Sequence, residues 1–169
     1  AYAPESGSER TLKLIKKRIS LKRLTESVIA AKKLKLALRT NLIIGFPHET
    51  RGDVFKTLLY GLSLAYRGVD EVSINVYSPY PGSELFETLE KEGRVKLGDE
   101  YFLALTSLNS DYTSFRPPNF TELGTKEIAF YRIFFMLSNY ILGYLVYPTR
   151  ILRALLAIYG GREAGTVLE

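Results

Sequence analysis

The sequence predicts an α/β fold built on parallel strands. Three short apolar stretches carry that expectation, at residues 1–4, 41–46 and 71–77, each running into a polar turn and then an amphipathic helix. Strands joined in this way lie parallel, adjacent and right-handed, with their helices on one face. At 169 residues and 46% apolar content, the chain is long enough to bury one core.

Residues 1–4 read as the last part of a strand. Glu5-Ser6-Gly7-Ser8 is a polar turn, and Ser6 with Glu9 matches the S-x-x-E capping box of a helix through Leu12 and Ile15. Leu21 to Leu38 gives a helical stripe of Leu21, Leu24, Val28 and Ala31. No glycine stands at its end to supply a left-handed terminating residue. The stretch Asn41 to Thr50, NLIIGFPHET, is the centre of the pattern. Its apolar run is too short for a helix interior, Pro47 stops it, and Thr50 with Asp53 forms a capping box for a helix bearing Val54, Leu58, Leu59 and Leu62.

Gly68-Val69-Asp70 leads into a strand at 71–77, where Val72, Ile74 and Val76 alternate with Ser73, Asn75 and Tyr77. One face of that strand is therefore apolar and the other wet or ligand-lined. Ser78 to Ser83 turns into a helix from Glu84 to Glu92. Residues 98–120 are weakly patterned; Tyr101, Phe102, Leu103, Leu105 and Leu108 suit an extra strand or a cover for the sheet, and Asn109 to Pro118 is turn-rich. Ile128 to Tyr147 is long and apolar, with Arg132 its only charge. Ser138, Asn139 and Gly143 inside it favour a core or interface helix over a bilayer span. An amphipathic helix over Thr149 to Ile158 follows Pro148, and Gly160-Gly161 ends the pattern.

The formal charge of +5 is local. Residues 1–40 hold eleven Lys/Arg against Glu5, Glu9 and Glu26, while the rest of the chain is acidic. No aromatics are interleaved with these cations, so a solvated outer helix layer is expected and nucleic acid is not. The chain has no cysteine and only one histidine, His48, so it forms no disulfide and no cysteine- or histidine-ligated metal site of its own.

Three boxes in register, ESGSE from Glu5, IIGFPHET from Ile43 and YSPYPGSELFE from Tyr77, resemble the second half of the core of the radical SAM enzymes. The nearest look is to the cobalamin-dependent group that includes the anaerobic magnesium-protoporphyrin ester cyclases. The resemblance implies the C-terminal half of a partial (β/α)6 TIM-like barrel with a helical C-terminal tail. Its divisions are residues 1–97 for the core half, 98–120 for an irregular connection and 121–169 for the tail. It also implies S-adenosylmethionine (SAM), a [4Fe–4S] cluster, and cobalamin in an N-terminal domain. The family's C-x3-C-x2-C cluster motif lies upstream of these boxes, so the chain is expected to be a fragment of a longer enzyme and inactive alone.

The same resemblance assigns cofactor contacts. Ser6, Gly7 and Ser8 would hold ribose hydroxyls or a carboxylate, with helix capping as the alternative, and Glu5 would pair an ammonium or sulfonium group or remain a surface carboxylate. Gly45, Phe46 and Pro47 would shape a loop beside adenine with Ile43 or Ile44 as its wall, although a tight βα turn accounts for the Gly and Pro equally. Tyr77 and Pro79 would complete the rim. Ser73 and Asn75 would line the substrate space, or serve structural hydrogen bonds. His48, standing where the family commonly has glycine, reads as a loop residue, and no catalytic residue is assigned. The substrate expected is a small molecule, lipid or tetrapyrrole, and the setting cytoplasmic, with peripheral membrane contact through residues 121–158 as an additional expectation. The rival reading is a non-catalytic binding or membrane-surface module that retains the half-barrel.

Overall fold

The computed structural model describes residues 1–110 and 120–149. Along the chain come β1 (Tyr2–Glu5), α1 (Glu9–Leu14), α2 (Leu21–Lys33), β2 (Arg39–Ile44), α3 (Arg51–Tyr66), β3 (Glu71–Val76), α4 (Glu84–Lys91), α5 (Asp99–Ser110) and α6 (Thr125–Val146). The three strands form one parallel sheet in the order β1-β2-β3, as the βαβ rhythm requires. β2 and β3 run in unbroken register from Arg39 opposite Glu71 to Ile44 opposite Val76, and the first pair is an ion pair at 2.6 Å. β1 joins β2 with an irregularity between Tyr2 and Glu5.

The two-residue period of the strands sorts their side chains. Leu42, Ile44, Val72, Ile74 and Val76 are buried beneath α3 and α6, whereas Asn41, Ile43, Ser73 and Asn75 are half-buried on the opposite face. That polar face is partly structural, since Ser73 Oγ donates to Asn41 Oδ1 across the strands at 2.8 Å. α3 and α6 run side by side. Arg51 pairs with Glu127 at their starts, Tyr147 hydroxyl donates to the Tyr66 carbonyl at the far end, and the Phe135 ring fits over Gly61 between them. Gly61 permits this approach because a Cβ there would stand 2.7 Å from the Phe135 ring and 2.8 Å from Leu42.

Several boundaries differ from the sequence expectation. The N-cap of α1 is Ser8, whose hydroxyl accepts from Thr11 N, and not Ser6, whose hydroxyl is turned into the interior. α2 stops at Lys33 instead of Leu38; with no glycine available, Lys35 itself adopts the left-handed conformation, with φ of 58°. The central strand ends at Ile44, because Gly45 turns the chain with φ of 85°. The stretch from Asp99 expected as an extra strand or irregular connection is helix α5, with acidic Asp99 and Glu100 in its first turn and Tyr101 and Leu105 buried one turn apart. The Thr50–Asp53 capping box is present as expected. The turn-rich residues 111–118, the amphipathic stretch 150–158 and Gly160-Gly161 lie outside the described residues. The architecture is thus α/β with a small three-stranded parallel sheet and flanking helices.

Gly61→Val should overpack the α3–α6–β2 junction and cost about 1–3 kcal/mol in urea denaturation. Gly52→Ala, at the exposed start of α3 with only Thr50 near its Cβ position, should change stability little.

Candidate functional site

The turn after β1 and the turn after β2 are fastened to each other by buried polar groups. Glu5 leaves β1 with φ of 68°, which sends the chain across the start of α3. Thr57 Oγ1 gives its single proton to the Asp53 carbonyl at 3.1 Å, so it accepts from Gly7 N at 3.1 Å and from the Ser6 hydroxyl at 2.9 Å. Ser6 Oγ accepts in turn from Ser8 N at 3.0 Å. Gly7 lies so close to α3 that a Cβ would stand 2.5 Å from Tyr60 Cβ and 2.7 Å from the Lys56 carbonyl. The close approach that requires glycine here is therefore made to a helix of the same chain.

Two carboxylates complete the fastening, and their environments drive them apart. Asp53 Oδ1 accepts from Ser8 Oγ at 2.6 Å, and its Oδ2 accepts from Thr50 Oγ1 at 2.6 Å, from Thr50 N at 3.1 Å and from Arg10. Burial pushes its pKa up, but these donors outweigh burial and hold the carboxyl well below the usual range. Glu49 Oε2 accepts from Gly45 N at 2.6 Å and Phe46 N at 3.2 Å, while its Oε1 accepts from Thr11 Oγ1 at 3.3 Å. Glu49 is only 2% exposed, and that burial, helped by the charge of Asp53, overrides the donors and raises its pKa to about 7. A carboxyl group just before α3 is favourable against the helix dipole in its own right. In the structure it shapes the Gly45–Phe46 loop and ties it to α1.

Beside this network, at the carboxyl ends of the strands, lies a cleft of about 540 Å³. Glu5, Ile43, Phe46, Asn75, Val76, Tyr77 and Ser78 line one side; Leu14 and Ile15 at the end of α1, Tyr80 and Ser83 in the turn before α4, and Glu84, Leu85 and Thr88 of α4 close it. Phe46 and Tyr77 rings meet at 4.8 Å and form an aromatic wall. Burial pushes the Tyr77 hydroxyl up to about 12, so it stays protonated and able to donate. Glu5 pairs with Lys17 at 3.2 Å on the rim.

The structure thus brings together Glu5, Phe46, Tyr77 and Asn75 of the residues singled out in the sequence. Ser6 and Ser8 are buried, and their hydroxyls are engaged inside the protein. Ile44 points into the core while its neighbour Ile43 lines the cleft, as strand alternation demands. Gly45 and Pro47 are buried behind the cleft wall; Pro79 is buried and accepts from the Tyr101 hydroxyl; Ser73 is bonded to Asn41 lower on the sheet. His48 is exposed with φ of 60°, a backbone position that suits glycine. Sequence reading missed Thr11, Thr57 and the inward role of Glu49. The spacing of Asp53 and Thr57, one helical turn apart on a face with buried neighbours, was the available signal.

No family model matches the chain. Over 86 residues it is 37% identical to an uncharacterized methyltransferase of Pyrococcus horikoshii, a match that takes in 51% of this chain and 18% of that protein. The matched stretch is therefore less than a fifth of that relative's length.

Glu49 generates a pH prediction. The folded state keeps its proton up to about pH 7 and the unfolded chain releases it near 4.5, so the folded state holds more protons between those values and stability falls as pH rises through that window. The full effect is on the order of 3 kcal/mol. Glu49→Gln keeps the acceptor for Gly45 and Phe46 and cannot ionise. Its stability relative to the parent should be similar near pH 4.5 and higher by on the order of 3 kcal/mol at pH 8, measured by urea denaturation.

Proposed function

We propose that this chain is part of a radical SAM enzyme, in which it supplies a portion of the SAM cradle and one wall of the substrate space. The observation that carries the reading is the cleft at the carboxyl ends of three adjacent parallel strands, where Phe46, Asn75, Tyr77 and Glu5 converge. In parallel α/β folds that rim is where ligand chemistry sits. The three boxes in register support the family, and similarity to a methyltransferase is consistent with use of SAM.

The cleft fits SAM in size and chemistry. Its volume of about 540 Å³ falls inside the range of ~300–1,000 Å³ usual for small-molecule sites. Ile43, Phe46 and Tyr77 offer an apolar wall for adenine, Asn75 an amide for its polar edge or the ribose, and Glu5 a carboxylate for the ammonium group. SAM bound there would supply a methyl or an adenosyl group to the reaction. The work of these side chains is to orient the cofactor and exclude water from one side of it. Glu49 acts behind the wall by fixing the two amides of the loop that carries Phe46.

An iron–sulfur cluster does not fit this chain. It has no cysteine, and among the described residues no three His, Cys, Asp or Glu side chains converge as a metal site. No step is derived through a cluster. In this reading the cluster ligands, and any cobalamin, belong to other parts of the enzyme, and this chain alone is inactive. The apolar lining from Leu14, Ile15 and Leu85 suits a lipid or tetrapyrrole substrate.

In the complete enzyme containing this chain, Asn75→Leu should weaken SAM binding at least about tenfold by calorimetric titration, roughly 1.4 kcal/mol. Lys33→Ala, exposed at the end of α2, should leave affinity unchanged. Equal affinity in Asn75→Leu and the parent would remove SAM from this cleft and leave the binding-module reading.

A further inference from the structure

We propose that the outward face of α6 is a self-association surface through which two copies of this chain pair helix against helix. α6 is one-sided: Ile128, Ala129, Arg132, Phe135 and Gly143 are buried against the sheet and α3. On the opposite side Phe130, Phe134, Leu137, Ile141 and Tyr144 are all exposed, with spacings of four, three, four and three residues. That alternation is the seam by which one helix packs into another. Phe130 stacks on Phe134 and Tyr140 on Tyr144 along the helix, so the seam is already a continuous ridge.

The size and charge of this face identify the occupant. With Tyr140 and Leu145, the seven side chains present roughly 700 Å² of apolar surface per copy, close to the ~800 Å² per partner of specific protein interfaces. Phe55 and Leu59 of the adjacent α3 are exposed as well and extend it. No charged side chain stands on the exposed face from Phe130 to Leu145; Arg132 is the only charge between Ile128 and Tyr147, and it is buried. A helix lying on a lipid surface carries Lys and Arg beside its apolar face, so this one is suited to another apolar helix. The seam is also self-complementary. A two-fold axis at Leu137 sets Phe130 against Tyr144 and Phe134 beside Ile141 of the second copy, which makes a closed, isologous contact. The inference rests on α6 and is independent of the reading of the cleft.

Sedimentation equilibrium and chemical crosslinking test it. At micromolar concentration the complete protein that carries this chain should have twice the mass of one copy, and the variants below are made in that protein. Leu137→Glu, at an exposed position, should stay folded by circular dichroism and weaken dimerisation at least about a hundredfold. Because the chain has no cysteine, Leu137→Cys provides a single thiol at the axis and should form a disulfide-linked dimer on oxidation, while Ile29→Cys, exposed on α2, should not. A monomeric parent would overturn the proposal, including one that binds phosphatidylcholine–phosphatidylglycerol vesicles as a monomer. So would a dimer that Leu137→Glu leaves intact, or a Leu137→Cys chain that fails to crosslink.

Discussion

The structure depends on the junction where the turn after β1 is held against the start of α3. Gly7 has no side chain there, which lets the backbone reach Thr57 directly. Ser6, Ser8 and Asp53 then satisfy one another in the interior, and the exposed Thr50 closes the network from the surface by donating to Asp53. Such a network is stabilising only when every member has its partner, since an unmatched buried polar group costs more than its hydrogen bond contributes. Thr57 illustrates the constraint: one proton donated to the Asp53 carbonyl leaves its oxygen for two donors, and both are present. β1 has only four residues and pairs irregularly with β2, so this junction, and not the strand alone, fixes where the first rim loop stands.

Two acids within one turn of chain do opposite jobs in this junction. Asp53 is surrounded by donors and is charged, so it anchors α1, the Thr50 cap and Arg10. Glu49 accepts fewer and on the whole longer hydrogen bonds, so desolvation prevails and it holds its proton into the neutral range. The consequence reaches the cleft. Gly45 and Phe46 amides are fixed by Glu49, Phe46 lies against Tyr77, and Tyr77 N bonds the Ile44 carbonyl at 2.8 Å. A carboxylate outside the cleft thus shapes its aromatic wall.

Much of the architecture was legible because it follows from short-range rules. The alternation in β2 and β3, the Thr50–Asp53 box and the βαβ order all depend on neighbours within a few residues, and the structure has them. Ser6 was misread as the cap of α1 because its choice of partner, Thr57, lies fifty-one residues away. Gly7 invited a ligand for the same reason: the sequence shows that something must approach closely, and only the fold shows that it is α3. Lys35 ends α2 in a conformation that glycine usually takes, and an exposed lysine at such a position carries no sequence signal. The segment after Asp99 lacked a clear period in the sequence; among its described side chains Tyr101 and Leu105 are buried, one turn apart. Asn75 and Tyr77 were identifiable from strand parity and Phe46 only from the family resemblance; Leu14, Ile15 and Leu85 come from helices whose placement required the structure.

The central claim is that the rim cleft between Phe46, Asn75 and Tyr77 receives SAM. A crystal structure of the complete enzyme grown with SAM tests it most directly. The account predicts adenine density against Ile43 and Phe46, with Asn75 within hydrogen-bonding distance of the cofactor. Density for SAM at another place, with this cleft empty, would contradict it.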